Sequence, residues 1–405
     1  MESKYFIKTC ALIATEGSSL SDDFEISGGN PNITYYESVK SPSISVSIDF
    51  IDVDGVISRE GITGGEYLDL KIKVPDFDDF EITPDKHFMM LNSVKNVKTS
   101  SNKQIATLEF VSVEAIINET ARVSRRFTGN VSQIVKELMK DKKSIQTSKN
   151  LETDESFNKY SFVGNLKRPF DTIQWLCPKA ASTDKECGFL FYENLDGYFF
   201  KSIKGLLDAD SSETYEKPEA PVDTDIKITE NNLDSSNDIG MNCRMGMYAN
   251  KTLYVDIENG KIETIDYKIS DLNLAKPPKL PAGLEDVPTR LMLRILDAGA
   301  LQKGSKKEEV EKRSELAVYQ NKSYARTNLL FSQSLSISTP FNPDLRVGQM
   351  IDVVLPVKEG SDQSQTTGGG ENDISGKYLL SELKHSIANG KSNSELKLIR
   401  DVFTA

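Results

Sequence analysis

The chain has 405 residues, 38% hydrophobic and 27% charged, which suits a soluble protein of roughly two to three domains with sizeable cores. It carries 49 Lys and Arg against 61 Asp and Glu, a formal net charge of −12; with no Lys/Arg cluster, this argues against a dedicated binder of nucleic-acid backbone. Its four cysteines include no CxxC spacing, so a disulfide scaffold is not indicated, and no apolar run approaches a membrane span.

Tyr5 to Ala14 is mildly apolar but interrupted by Lys8, and no small-residue cleavage site follows, so it reads as a first strand and not a signal peptide. Ile44, Val46, Ile48 and Phe50 alternate with Ser43, Ser45, Ser47 and Asp49. After glycines at 61–65, Leu68, Leu70, Ile72 and Val74 repeat the alternation. Phe88–Val97 and Ile105–Ile117 read as a further long strand pair joined at Ser100-Ser101-Asn102. Period two with one apolar face predicts half-buried strands.

The period then changes. Val131, Ile134, Val135, Leu138 and Met139 follow Asn130 at helical spacing, with Asn130 as the capping residue. A second helix starts at Pro169, with Ile173, Leu176 and Cys177 on one face and Trp175 near it. Gly188–Tyr192 and Tyr198–Phe200 predict a hairpin apolar on both faces, turning at Asn194–Gly197. Cys177 and Cys187 are ten apart; free thiols are the expectation for so few cysteines.

An acidic, proline-containing linker covers Asp208–Asp225, and Ile226 and Ile228 suggest one strand. Leu253–Ile257 and Ile262–Ile269 flank Asn259-Gly260, another hairpin. Pro277, Pro278 and Pro281 mark a loop. Lys306 to Leu330 reads as a charged helix whose thin apolar stripe includes Val310, Ala317, Leu329 and Leu330.

Four strands close the chain. Leu335, Ile337 and Thr339 share a face, and Pro340 to Asp344 break the strand. Ile351, Val353 and Leu355 begin the next alternation, after the turn Leu345-Arg346-Val347-Gly348. Beyond a polar loop holding Gly368-Gly369-Gly370, Gly376 opens a third strand through His385. Asn389-Gly390, which tolerates positive φ at both positions, turns it into a fourth carrying Leu396 and Leu398. This predicts a small antiparallel sheet or barrel. Ser43–Ile48 also echoes Ser334–Ser338, a hint of duplication.

No catalytic constellation accompanies these elements. His87 and His385 fall within strand readings and are expected to be structural. HExxH and G-x-S-x-G are absent. Asp52-Val53-Asp54-Gly55 fails as a calcium loop, since Phe50 and Gly61 occupy its first and twelfth positions. Gly376-Lys377 is followed by Tyr378 where a phosphate loop needs Ser or Thr. No cofactor or metal is indicated.

Three stretches resemble the baseplate hub subunit of contractile-tailed bacteriophages. They are Arg126-Phe127-Thr128-Gly129 with Ile134-Val135; Pro169 to Leu176 leading to Gly188–Glu193 and Asp196–Phe200; and Pro340 to Ile351 with Gly376–Leu380 and His385. The third is similar to the second barrel shared by phage late-control proteins and type VI secretion spike proteins. The resemblance implies a β-rich α+β fold, with two tube-like antiparallel β-barrels and an α+β insertion. Residues 1–118 are then the first barrel. Residues 119–220, joined by 246–304, are the α+β middle domain. Residues 221–245 and 305–405 form the second barrel with its leading helix.

The resemblance further implies a homotrimer, a pseudo-six-fold ring between a tail-tube protein and a trimeric spike protein in the virion baseplate, assembled in the host cytoplasm. DNA would pass through without specific binding. It implies no catalytic residue. A cell-wall hydrolase of the same injection machine is the alternative, and a carbohydrate-binding β-module a weaker one. Because a basic channel would retard DNA, the acidic excess points to Asp49, Asp52, Asp54 and Glu60 as candidates for the channel wall or subunit interface. A bland alternative is that the acid only keeps the outer surface soluble.

Overall fold

A computed structural model describes residues 5–401 except 54, 76, 101–102, 218–226, 236–237, 257–259, 273–282, 284–286, 296–306 and 357–373. The expected loops at 277–281 and 368–370, and Asp54 and Ile226, lie outside the described residues.

The first barrel uses β1 (Phe6–Ile13), β2 (Phe24–Glu25), β3 (Asn32–Ser38), β4 (Ser45–Asp52), β5 (Tyr67–Lys73), β6 (Phe80–Ile82), β7 (Met89–Ser100) and β8 (Lys103–Ser112), with the short helix α1 (Val56–Glu60). Alternate residues point inward and form one core: Cys10 and Leu12, Ile33 and Tyr35, Val46 and Ile48, Leu68 and Leu70, Leu108 and Phe110. Each such buried side chain contributes roughly 1.5–3 kcal/mol.

The middle domain follows as α2 (Val113–Thr120), β9 (Arg126–Asn130), α3 (Val131–Lys140), β10 (Leu151–Thr153), β11 (Lys159–Val163), α4 (Pro169–Leu176), β12 (Phe189–Asn194), β13 (Gly197–Ser202) and α5 (Ile203–Leu207). Val131, Ile134, Val135, Leu138 and Met139 of α3 pack with Phe170, Ile173, Phe191 and Phe200. Instead of a strand through Ile117, the chain turns helical at Val113. This helix buries Glu114 and Asn118, polar residues that conceal its inward face from a hydrophobicity reading. All four cysteines are free thiols, and Cys10, Cys177 and Cys187 are buried.

The remaining elements are β14 (Ser211–Glu216), β15 (Glu230–Ser235), α6 (Ile239–Met245), β16 (Ala249–Asp256), β17 (Lys261–Lys268), β18 (Arg290–Ile295), α7 (Lys307–Leu330), β19 (Gln333–Pro340), β20 (Met350–Val354), β21 (Gly376–Ala388) and β22 (Lys391–Arg400). The second barrel takes β14, β15 and β19–β22, and β16–β18 make a separate three-stranded sheet. Asn389 and Gly390 have φ of 52° and 78°, as the hairpin between β21 and β22 requires.

Strand order is the same in the two barrels. The first runs β3-β4-β8-β7-β5-β1 and the second β15-β19-β22-β21-β20-β14. Taken in chain order, each strand of one corresponds to one of the other, and the echoing serine stretches lie on the equivalent strands β4 and β19. One difference is polarity: β1 pairs with β5 antiparallel, whereas β14 pairs with β20 parallel. In each barrel the segment after the first strand in the chain, β1 or β14, lies back against it, antiparallel at β1 and parallel at β14. Ile26 N donates to Cys10 O (2.6 Å), and Ile228 N to Glu216 O (2.8 Å); both isoleucines are 2% exposed.

The barrels join edge to edge. Glu382–Ile387 of β21 pair antiparallel with Ile33–Ser38 of β3, so a single sheet runs through both. The middle domain docks across this joint. Tyr192 of β12 lies against Gly348, where φ is +91° and a Cβ would come within 2.1 Å of the tyrosine hydroxyl.

In the closing strands, Leu398 is fully buried and pairs with Leu335 and Leu380. Leu398→Asp is expected to cost about 3–5 kcal/mol, the penalty of an unpaired charge in an apolar core. Denaturant unfolding of the variant measures it.

Candidate functional site

The outward face of the shared sheet is polar and crosses eight strands, β15-β19-β22-β21-β3-β4-β8-β7. It arises from the alternation that builds the cores: the residues between the inward ones are mostly Ser, Thr, Asn, Lys, Glu and Asp, with Tyr36, Ile51, Ile105 and Val111 among them. One row reads Ser338, Glu395, Lys384, Tyr36, Ser45, Val111. Its neighbour reads Asn393, Ser386, Thr34, Ser47, Glu109, Ser93. Both rows pass from the second barrel into the first without a break.

Charges on this face neutralise one another locally. Lys384 meets Glu395 at 3.2 Å and Lys397 meets Glu382 at 3.5 Å. Tyr36 OH also donates to Glu382 (3.1 Å). On the first barrel Lys95 meets Glu109 at 2.5 Å. A shallow open groove of about 490 Å³ lies over Tyr36, Ser336, Glu382, Lys384, Glu395 and Lys397.

Asp49 stands exposed on this face and accepts a hydrogen bond from Thr107 Oγ1 (2.5 Å). Asp52 points the other way: it is 2% exposed and accepts from Ile57 N (2.9 Å), steadying the start of α1. Glu60 ends α1 and pairs with Arg59 at 3.0 Å. The two sequence candidates on or beside α1 therefore serve that helix, and only Asp49 joins the shared face.

Behind the joint lies a buried polar cluster that the sequence reading did not pick out. Glu37 of β3 is fully buried and accepts from Tyr35 OH (2.5 Å), Leu195 N (2.8 Å) and Val347 N (2.9 Å). It thus ties β3 to the β12–β13 turn and to the loop before β20. Burial outweighs the Arg346 charge and these hydrogen bonds and pushes its carboxyl up to about 7. Beside it, Lys149 lies 2.7 Å from Glu193 and 2.9 Å from Glu114. Glu193 also accepts from Ser112 Oγ (2.5 Å) and Ile44 N (3.1 Å). Burial opposes the ammonium, but the two carboxylates more than offset this and the Lys149 pKa is raised. Glu193 is raised by burial despite Lys149.

His385 is buried against Tyr35, Phe80 and Phe341, with Nδ1 2.9 Å from Ser394 Oγ. Burial, then Arg346, lowers its pKa to about 3, so it remains neutral packing material. His87 lies in a turn and not a strand, and its Nδ1 accepts from Thr83 N (3.1 Å). Among the described residues no group of three His, Cys, Asp or Glu is arranged to hold a metal, and no helix is long and apolar enough to cross a membrane.

No family model matches the chain, and no curated protein does. Solved structures do. The tail protein from Neisseria meningitidis MC58 aligns over 99% of this chain and 98% of its own, with a TM-score of 0.53 and 9% identity. The 43 kDa tail protein of prophage MuSo2 from Shewanella oneidensis aligns over 98% and 99%, with a TM-score of 0.51 and 9% identity. A chain of the lidded Francisella PdpA–VgrG complex matches over 99% of this chain but 53% of that one, at a TM-score of 0.50 and 13% identity. The chain has the fold of phage tail proteins, as the resemblance in its motifs implied.

Two outcomes follow from the buried cluster. Lys149→Met leaves Glu114 and Glu193 uncompensated and is expected to cost about 3–5 kcal/mol near neutral pH. Part of that loss should return as pH falls and Glu193 takes up a proton; unfolding across a pH series measures both. Glu37 is raised above its ordinary 4.5, so the folded state binds its proton more tightly than the unfolded state. Its contribution to stability is complete below about 4.5 and declines as pH rises toward 7. Glu37→Gln is expected to make stability fall less steeply across that window in the same series.

Proposed function

We propose that this chain is a structural hub subunit of a contractile phage tail, acting in the baseplate as a homotrimer between the tail-tube protein and the trimeric spike protein. The observation that carries the reading is the repeated strand order joined by the β3–β21 ladder. Three copies of two such barrels make a pseudo-six-fold ring, the shape needed to adapt a six-fold tube to a three-fold spike. In this proposal residues 1–118 are the first barrel, residues 221–245 and 305–405 together with β14 (Ser211–Glu216) the second, and the rest of 119–220 with 246–304 the middle domain. The virion tail is the location, reached after assembly in the host cytoplasm.

The same ladder, used between chains, would close the ring. β21 spends its first half on β20 and its second on β3. Among the described residues its counterpart β7 meets β5 only through Met90, and no strand pairs with the far edge of β15. Pairing β7 of one chain with β15 of the next would extend the eight-strand face into a closed wall, three times eight strands. DNA would pass along that wall unbound, because the lysines Lys95, Lys384 and Lys397 are already paired with Glu109, Glu395 and Glu382, and Asp49, which lies on it, adds negative charge. No catalytic role is proposed. The buried carboxylates Glu37, Glu114 and Glu193 are held by inward donors and Lys149, not presented in a cleft, and nothing favours the hydrolase reading over the hub.

The purified chain is expected at about 135 kDa, three times 45.1 kDa, in sedimentation or native mass measurement. Cysteine pairs placed on β7 at Lys95 or Asn96 and on β15 at Asn231 or Asn232 should cross-link neighbours into a closed three-chain species. A monomer at every concentration, with no such cross-link, overturns the proposal.

A further inference from the structure

A cation taken out of water is costly without an anion beside it. Lys149 has Glu114 and Glu193, Arg326 has Asp401, and Arg346 has Asp196. Lys179, which ends the short turn after α4, is 8% exposed and has no carboxylate. The charged and titratable groups facing it are Arg294, Lys167 and the thiol of Cys177. Burial raises that thiol to about 12 and keeps it neutral. Among the described residues neither Lys167 nor Arg294 has an ion pair. Three cations thus stand together without acid in a chain of net charge −12.

Several elements fix their positions. The Lys179 carbonyl accepts from Tyr160 OH (2.5 Å) and from Asn158 Nδ2. The Lys167 carbonyl accepts from Val123 N (3.0 Å), after a turn in which Asn165 and Leu166 have φ of 52° and 58°, a conformation that leucine adopts at a cost. Arg294 of β18 lies over Tyr324 of α7, 4.6 Å from the ring centre. Lys179 Nζ lies 4.0 Å and Lys167 Nζ 5.0 Å from the ring centre of Trp175.

An ammonium has three N–H donors. That of Lys179 gives one to Trp175 O (2.8 Å), and among the described residues no other oxygen or nitrogen accepts from it. Attraction to the indole recovers part of its desolvation cost but does nothing for the repulsion among the three cations. Burial, then Arg294 and Lys167, lower its pKa to about 7. Lys167 is exposed and Trp175 half-buried, so the cluster opens to solvent on that side.

Charge and shape limit the occupant. One carboxylate would leave at least one of the positive charges uncompensated. A tetrahedral dianion offers acceptors to the planar fork of an arginine and to ammoniums together. Two ammoniums and the Phe162 ring, centred 5.2 Å from that of Trp175, already crowd the indole, which argues against a stacked nucleobase as the recognised part.

We infer that Lys167, Lys179 and Arg294 form a binding site for a phosphate-class dianion, taken either as the free ion or as the phosphate of a small ester. The site lies outside the two barrels, and the inference does not depend on the hub reading.

Trp175 is the chain's only tryptophan, so indole emission reports on this site alone. The full chain is titrated with inorganic phosphate, sulfate, glycerol phosphate and acetate at an ionic strength held constant with chloride. The expected result is a saturable change in emission with phosphate and sulfate, and much weaker binding of acetate. Lys167→Met and Arg294→Met, both at side chains that reach solvent, should each weaken binding about tenfold, the loss of one charge-assisted contact. Lys142→Met, at an exposed lysine elsewhere, should change nothing. Sulfate keeps both charges across the neutral range, so its affinity should fall as pH rises through about 7, where the unbound Lys179 ammonium gives up its proton. Lys179→Met should remove that pH dependence; should it fail to fold, the Lys167 and Arg294 variants decide. Glycerol phosphate binding as tightly as phosphate supports the inference and assigns the site to esters; binding of the inorganic ions alone supports it and assigns the site to free anions. The inference is overturned by no saturation beyond the chloride control, by acetate binding as tightly as phosphate, or by affinity indifferent to Lys167→Met and Arg294→Met.

Discussion

Six residue pairs between β3 and β21 hold the two barrels as one sheet, and the rest of the architecture depends on them. Backbone ladders fix direction and register together, since a slip of one residue would exchange the inward and outward faces. Here a slip would drive Glu382 and Lys384 into the cores and pull Leu383 and His385 out. The polar face and the buried cores are therefore specified by the same six pairings. The ion cluster behind the joint adds specificity more than net stability, because charges taken out of water recover little beyond their desolvation cost. Its value is geometric: Glu37 and Glu193 accept from donors held at set positions by the first barrel (Tyr35, Ile44, Ser112), the middle domain (Lys149, Leu195) and the second barrel (Val347).

Most of the fold was legible in the sequence where alternation was clean. The serine-spaced strands at 44–50 and 334–338, the Asn389-Gly390 hairpin and the α3 stripe were each readable from one local rule. β3 was not, although the joint rests on it. Its inward positions are Ile33, Tyr35 and Glu37, and a buried glutamate breaks the apolar count. α2 failed for the same reason, with Glu114 and Asn118 on its buried side. Both misreadings fall where a charge is buried beside a partner far away in the chain, which a window of local sequence cannot contain.

The candidate surface was less legible than the fold. Charge counting singled out Asp49, Asp52, Asp54 and Glu60 because acid is abundant there, whereas the period-two alternation, once strand β4 is known to reach Asp52, puts Asp49 and Asp52 on opposite faces. Balance on the shared face is likewise invisible to composition. The net −12 of the chain coexists with a face whose carboxylates meet lysines across strands, since Glu382 and Lys397, or Lys384 and Glu395, become neighbours only when β21 and β22 pair. One available signal was the repeat itself: the serine echo marks equivalent strands in two barrels of the same order.

The β3–β21 ladder also bears on synthesis. Tyr36 and Glu382, hydrogen-bonded across it, are 346 residues apart. The first barrel can bury its core as soon as β8 leaves the ribosome, but the edge of β3 then has no strand to meet until β21 is made. At about 5–20 residues per second that interval is tens of seconds, during which a hydrogen-bonding edge stands open to other nascent chains. A folding intermediate with one finished barrel and one unpaired edge is thus built into the order of the strands. Its lifetime is set by translation and not by the chain's own folding rate.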